Sequence, residues 1–179
     1  EVDPAYDNLV ILGEDINSML AAQKRQAEIT EAYSMAAYYQ SRGMLIEPEE
    51  TNAYSAYKKV LELDPQNRLA NQGLESILNI LLDQAEQNIA DGDLAAAEAQ
   101  VLKADSLFPN SRRVIDINTQ ITTRQREIRD EAEVAEFLRI ASGQLEDGKL
   151  VEPASDNALE SFTQVLNRQP DNTAAIDGL

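Results

Sequence analysis

Apolar residues recur at helical spacing along most of the chain. Ala53, Tyr57, Val60 and Leu61 fall on one helical face, as do Ala97, Val101 and Ala104, and again Ala158, Phe162, Val165 and Leu166. Polar residues fill the intervening positions, so each stretch predicts an amphipathic helix. Punctuation is sparse and regular. Gly43, Gly92 and Gly148 stand where a helix would close through a left-handed residue. Pro65, Pro109 and Pro170 stand where the next helix must stop, because proline has no N–H to donate. The pattern therefore predicts units of two helices each.

Two segments are longer than the units require. Residues 111–147 contain no Pro, and no Gly before Gly143. One helix there would run about 55 Å at 1.5 Å per residue. Val114, Ile117 and Ile121 mark one apolar stripe, and Val134, Leu138, Ile140 and Ala141 mark another. Between them lies TTRQREIRDEAE, which either crosses solvent as an exposed helix or hides a break. The N-terminal part reads alike: Leu9, Leu12, Ile16 and Leu20, then AAQKRQAE, then Ile29 and Tyr33. One long helix in each is the favoured reading.

The likeness of these two segments belongs to a larger repeat. Shifted by 105 residues, positions 1–74 fall on 106–179 without a gap, with 19 identities in 74 pairs. The match is densest where Gly43–Leu74 meets Gly148–Leu179: the opening Gly, Leu, Glu-Pro, Asn-Ala, Val-Leu, Pro, Asn, Ala and Gly-Leu are shared. Asp91–Ser111 is a variant unit, without the Glu-Pro loop but with the Gly, the Ala-rich helix and the Pro.

These residues resemble the tetratricopeptide repeat. The middle unit fits its spacing directly through Leu81, Ala85, Gly92, Ala97, Val101, Ala104 and Pro109. The flanking units fit once five extra loop residues are allowed, through Ala36, Gly43, Ala53, Tyr57 and Pro65, and through Ala141, Gly148, Ala158, Phe162 and Pro170. Small residues let paired helices approach, and the larger side chain fills the space beside them. The chain departs from the family at Asn88, where an aromatic is usual, and at Gln84, where a leucine is usual. Its units are also spaced more widely than the family's repeat of about 34 residues.

The resemblance implies an all-α, tetratricopeptide-like solenoid of antiparallel helix hairpins with unusually long connecting helices. It would form a single array over residues 1–179, with units at 1–65, 66–110 and 111–179, the last truncated at its C-terminal end. The resemblance also implies that the inner faces of the first helices hold a protein or peptide. Carried over, these are Thr30, Tyr33, Ala37 and Gln40, then Asn79, Leu82, Glu86 and Ile89, then Ala135, Leu138, Ser142 and Leu145. The alternative is that most of these pack against neighbouring helices. The set lacks the Lys and Arg clamp with which such modules hold acidic C-terminal tails.

Composition narrows the function. There is no Cys, His or Trp, which removes thiol and imidazole chemistry and the usual zinc sites. Against 15 basic residues stand 32 acidic ones, a net charge of −17. That field repels a phosphate backbone or an anionic membrane, so no nucleic-acid partner is expected. It suits a protein or peptide with a basic patch, although such charge also simply keeps a surface soluble. No apolar run is long enough to insert into a membrane.

Three motifs remain. The loop Gly-x-Leu-[Ile/Val]-Glu-Pro-x-x-x-Asn-Ala occurs twice. It reads either as a recognition loop presenting Glu47 and Glu152, or as a structural loop. In the structural reading Leu45 and Leu150 tuck back, Pro48 and Pro153 stiffen the chain, and Asn52 and Asn157 cap the next helix. Asn157 and Glu160 have capping-box spacing. Arg124, Arg126 and Arg129 form the one concentrated positive patch, with Glu127, Asp130 and Glu131 placed to neutralise it. The acidic clusters lie in loops or on polar helical faces, where no carboxyl would have a raised pKa, so no enzyme activity and no cofactor or metal are expected.

The expected function is thus a scaffold or adaptor segment binding a protein or peptide along an inner face. The alternative is a structural spacer within a larger protein, without a ligand of its own. The long-unit pattern is similar to segments of bacterial multi-domain envelope proteins, implying the periplasmic or cytoplasmic side of an envelope. The chain opens with Glu1 and ends at Leu179, where the first copy continues into a Leu- and Ile-rich helix. On that reading the sequence is an excised fragment that self-associates through its open C-terminal end.

Overall fold

The computed structural model describes residues 4–179, with side chains from Leu12 onward. Among the described residues there are seven helices and no strand, so the fold is all-α. The helices are α1 (Pro4–Ser41), α2 (Ala53–Leu63), α3 (Arg68–Ala90), α4 (Leu94–Leu107), α5 (Arg112–Glu146), α6 (Ala158–Arg168) and α7 (Thr173–Asp177).

The predicted punctuation ends these helices. Past α1, α3 and α5, the backbone turns left-handed at Gly43 (φ 73°), Gly92 (φ 81°) and Gly148 (φ 73°). Paired hydrogen bonds close each of these turns. Gly43 N donates to Gln40 O and Met44 N to Tyr39 O; Gly92 N donates to Ile89 O and Asp93 N to Asn88 O; Gly148 N donates to Leu145 O and Lys149 N to Gln144 O. That is the Schellman arrangement, which satisfies carbonyls a helix end would otherwise leave bare. α2, α4 and α6 each stop two residues before a proline, at Leu63, Leu107 and Arg168.

The repeated sequence gives repeated structure. Shifted by 105 residues, the end of α1 becomes the end of α5, α2 becomes α6 at both ends, and the start of α3 becomes the start of α7. Both Glu-Pro loops carry a cis peptide, at Glu47–Pro48 and Glu152–Pro153.

The chain forms two compact units, Glu1–Ala85 with Lys103–Pro109, and Glu86–Leu102 with Asn110–Leu179. In the first, α1 packs along α2, and Ala32, Ala36, Ala53, Tyr57, Val60, Ala70, Ile77, Leu81 and Leu82 are buried. Tyr57 lies over Gly73 of α3 so closely that a Cβ there would come within 2.3 Å of its ring. The Tyr57 hydroxyl donates to Gln40 at 2.8 Å, and Gln40 in turn donates to Ser76 Oγ at 3.0 Å. Tyr54 closes the other side of α2, its hydroxyl donating to Leu107 O and its ring set edge-on to Phe108.

In the second unit, α5 packs along α6, and Val134, Ala141, Ala158, Phe162, Val165 and Ala175 form a core. Phe137, Leu138 and Leu166 pack against it. Phe162 repeats the seat of Tyr57, since a Cβ on Gly178 would meet its ring at 2.3 Å. Two polar contacts tie α5 to the segment before it: Arg113 to Glu86 at 3.3 Å, and Gln125 to Glu98 at 2.8 Å.

α1 and α5 are each one continuous helix, and their polar middles lie exposed over residues 21–27 and 122–133. The stripe Val114, Ile117 and Ile121 is buried as expected. Its N-terminal counterpart is not: Leu12, Ile16 and Leu20 are each about half exposed or more, and the Leu9 side chain lies outside the described residues.

Candidate functional site

The twelve carried-over groove positions have different fates. In α1, Thr30 and Ala37 are exposed, and the Thr30 hydroxyl donates to Gln26 O. Tyr33 is half-buried, its ring edge-on to Tyr57 at 5.9 Å, and Gln40 is taken up by Tyr57 and Ser76. Tyr33 and Gln40 are thus brought together around one buried phenol, whose pKa is raised, first by burial and then by Tyr33.

In α3, Leu82 is fully buried (0% exposed) and therefore belongs to the core rather than to a groove. Asn79 and Ile89 are half-buried, and Glu86 is exposed and paired with Arg113. In α5, Leu138 packs against the core, whereas Ala135, Ser142 and Leu145 are exposed. The side chains free to meet a partner are therefore Thr30, Ala37, Ala135, Ser142 and Leu145. Packing decides the difference, because helical spacing alone does not say how many sides of a helix are covered.

The Glu-Pro loops are held from within. Asn52 is buried; its Oδ1 accepts from Ser55 N at 2.8 Å, and its Nδ2 donates to the carbonyls of Ile46, Pro48 and Glu49. Asn157 repeats the cap, accepting from Glu160 N at 2.9 Å and donating to Pro153 O. Glu160 reaches Ser155 N and Asn157 Nδ2, so the expected capping box is a variant that serves the loop. Lys149 and Gln144 both donate to Asp156 at 2.9 Å.

Leu45 is half-buried as expected, but Leu150 is 56% exposed, as is its neighbour Val151 at 62%. Lys103 binds Glu47 at 2.7 Å, and that hydrogen bond, then the charge of Lys103, holds the Glu47 pKa below its ordinary value. Of the arginine patch, Arg124 pairs with Glu127 (3.0 Å) and Glu131 (3.8 Å), and Arg129 approaches Asp130 at 3.9 Å.

A concavity that involves none of the carried-over groove positions lies between α1 and α2. It is a groove of about 430 Å³, floored by Ala32, Asn52 and Ala56 and flanked by Met35, Tyr39 and Ser55. Glu28, Glu31, Glu50 and Glu62 rim it, against a single cation, Lys59. Apart from Asn52, read only as a helix cap, sequence reasoning passed over these residues. The available signal was Ala32, aligned with a phenylalanine in the second copy while the carboxylates four and one residues before it, Glu28 and Glu31, were kept.

Among the described residues, no cluster of three or more side chains is placed to hold a metal ion, and no helix is long and apolar enough to cross a membrane. What the groove between α1 and α2 offers chemically is a floor of Ala32, Ala56 and Asn52 beside carboxylates that, apart from Glu28, make no ion pair among the described residues. Comparison of the chain with family models, with curated proteins and with solved structures finds no match.

Proposed function

We propose that this chain is a tetratricopeptide-like scaffold segment that holds a protein or peptide against its helix hairpins. The observation that carries the reading is the duplication. Two hairpins of the same cap chemistry, Gly turn, Glu-Pro loop and aromatic-on-glycine seat recur 105 residues apart. Repetition of one supersecondary unit is the hallmark of solenoids, whose extended faces bind other chains. A charge of −17 adds preference for a basic partner. The exposed inner-face positions Ala37 and Ser142 then contribute to the contact. Screening basic peptides against the wild-type chain and against Ala37→Arg and Ser142→Arg tests this. Binding that weakens with salt and falls in either variant supports the scaffold, and affinity unchanged in both refutes the inner face.

A second reading is favoured by a specific feature. The exposed polar middles of α1 and α5, residues 21–27 and 122–133, suit a spacer that holds other domains apart within a larger, envelope-associated protein. On that reading no peptide binds, and shortening α5 by whole turns alters only the separation of what the chain connects.

A further inference from the structure

The two copies differ at one helix-pair groove, and the difference describes what fits it. In the second unit, Phe137 occupies the α5 position that Ala32 holds in α1, and packs against the core. Arg168, the counterpart of Leu63, lies over that ring, 4.8 Å from its centroid. Its guanidinium binds Glu133 at 3.1 Å and the Gln164 carbonyl at 3.2 Å. A second guanidinium, that of Arg139, binds Glu136 at 2.7 Å. The second unit thus supplies an aromatic ring, a cation over its face, and two carboxylates that each hold an arginine.

The first unit keeps the carboxylates and lacks the rest. Glu133 and Glu136 recur as Glu28 and Glu31, but Phe137, Arg139 and Arg168 are replaced by Ala32, Ser34 and Leu63. The groove of about 430 Å³ opens at Ala32. Among the described residues Glu28 meets only Lys24, at 4.0 Å, on a side chain 79% exposed, and Glu31, Glu50 and Glu62 make no ion pair.

We infer that the α1–α2 groove of the first unit binds a partner peptide presenting an aromatic side chain with an arginine beside it. The peptide would supply from outside the pair that the second unit supplies from within. The ring would rest on the floor at Ala32, which is already nearly covered, so the apolar surface removed from water is chiefly the ring's own. The guanidinium would lie over the ring and reach Glu28 and Glu31 together. Arginine fits better than lysine because its planar, weakly hydrated fork stacks on aromatic faces while bonding carboxylates. The groove uses none of the inner-face positions, so this site and the scaffold reading can fail separately.

The test uses the whole chain and short, end-capped, labelled peptides with a central Phe-Arg, Ala-Arg or Phe-Glu in a Gly-Ser background, read by fluorescence anisotropy. The Phe-Arg peptide is expected to bind at a single site and to weaken as salt rises, with the other two weaker by about tenfold or more. Ala32→Phe with Leu63→Arg installs the side chains that the second copy carries at these positions, and should abolish binding while circular dichroism stays unchanged. Should that variant fail to fold, Glu28→Gln with Glu31→Gln carries the same test, with an expected loss of about tenfold. No binding of the Phe-Arg peptide at millimolar concentration, equal binding of the Phe-Glu peptide, or undiminished affinity in a folded variant would overturn the proposal.

Discussion

Glycine does two opposite jobs in this chain. At Gly73 its missing side chain is the seat of Tyr57, which is itself pinned by the hydrogen bond to Gln40. Gly73→Ala forces the ring or helix α3 to move, and the expected loss is about 1–3 kcal/mol in urea denaturation. Gly178→Ala should cost less, since Phe162 has no hydroxyl to hold it against the same intrusion. Gly143 is helical with open space around it, so Gly143→Ala should raise stability by about 0.5–1 kcal/mol. Asn52 is the other residue on which local structure turns. Asn52→Asp keeps the cap acceptor but sets a carboxylate against three carbonyls, and Asn52→Ala loses both roles. Both should lower the urea midpoint, with a loss of about 2–3 kcal/mol for alanine. The caps were legible in the sequence because Asn before a helix has a short-range reason to be there. Leu82 and Leu150 were misread because their burial depends on what other elements cover, which no local spacing records.

At the scale of elements, the helix ends followed from Gly and Pro, whose backbone limits act wherever they stand. The continuity of α1 and α5 was the favoured reading of two, and their exposed middles persist because they contain no helix breaker. The Glu-Pro loops carry a pH dependence. Asp156 is held below its ordinary pKa of 3.8, first by the hydrogen bond from Lys149 and then by that from Gln144. Because the folded chain takes up this proton less readily than the unfolded one, the stabilisation is complete above the ordinary value. It is lost as pH falls through the lower folded value. Asp156→Asn should therefore flatten the fall of Tm with acid below about pH 4, relative to wild type. The Lys149 pKa is raised by the same hydrogen bond, so its share is present below its ordinary value of 10.5 and disappears only as pH climbs past the folded value. The α1–α2 groove could not be read from either copy alone. It depends on a volume difference at Ala32 and on the path of the Arg168 side chain, and identities in an alignment weigh neither.

For the molecule as a whole, electrostatics and repetition matter most. The ion pairs are largely exposed, so each contributes little. The unbalanced charge of −17 acts on everything at once and opposes compactness. Raising sodium chloride from about 10 to 300 mM should therefore raise Tm, because screening relieves self-repulsion faster than it weakens the few surface pairs. A Tm that falls with salt would show that the pairs matter more than the net charge. The coincidence of helix boundaries after 105 residues reaches further. The chain leaves α6 for α7 through the same kind of joint by which it leaves α2 for α3: a proline, a capping asparagine, then an alanine and the glycine under the ring. Another copy of residues 69–173, spliced in frame after Thr173, would find familiar chemistry at both of its seams. Such a chain can grow by whole periods with no new joint to invent, whereas a single extra residue between Phe162 and Gly178 would move the glycine out from under its ring.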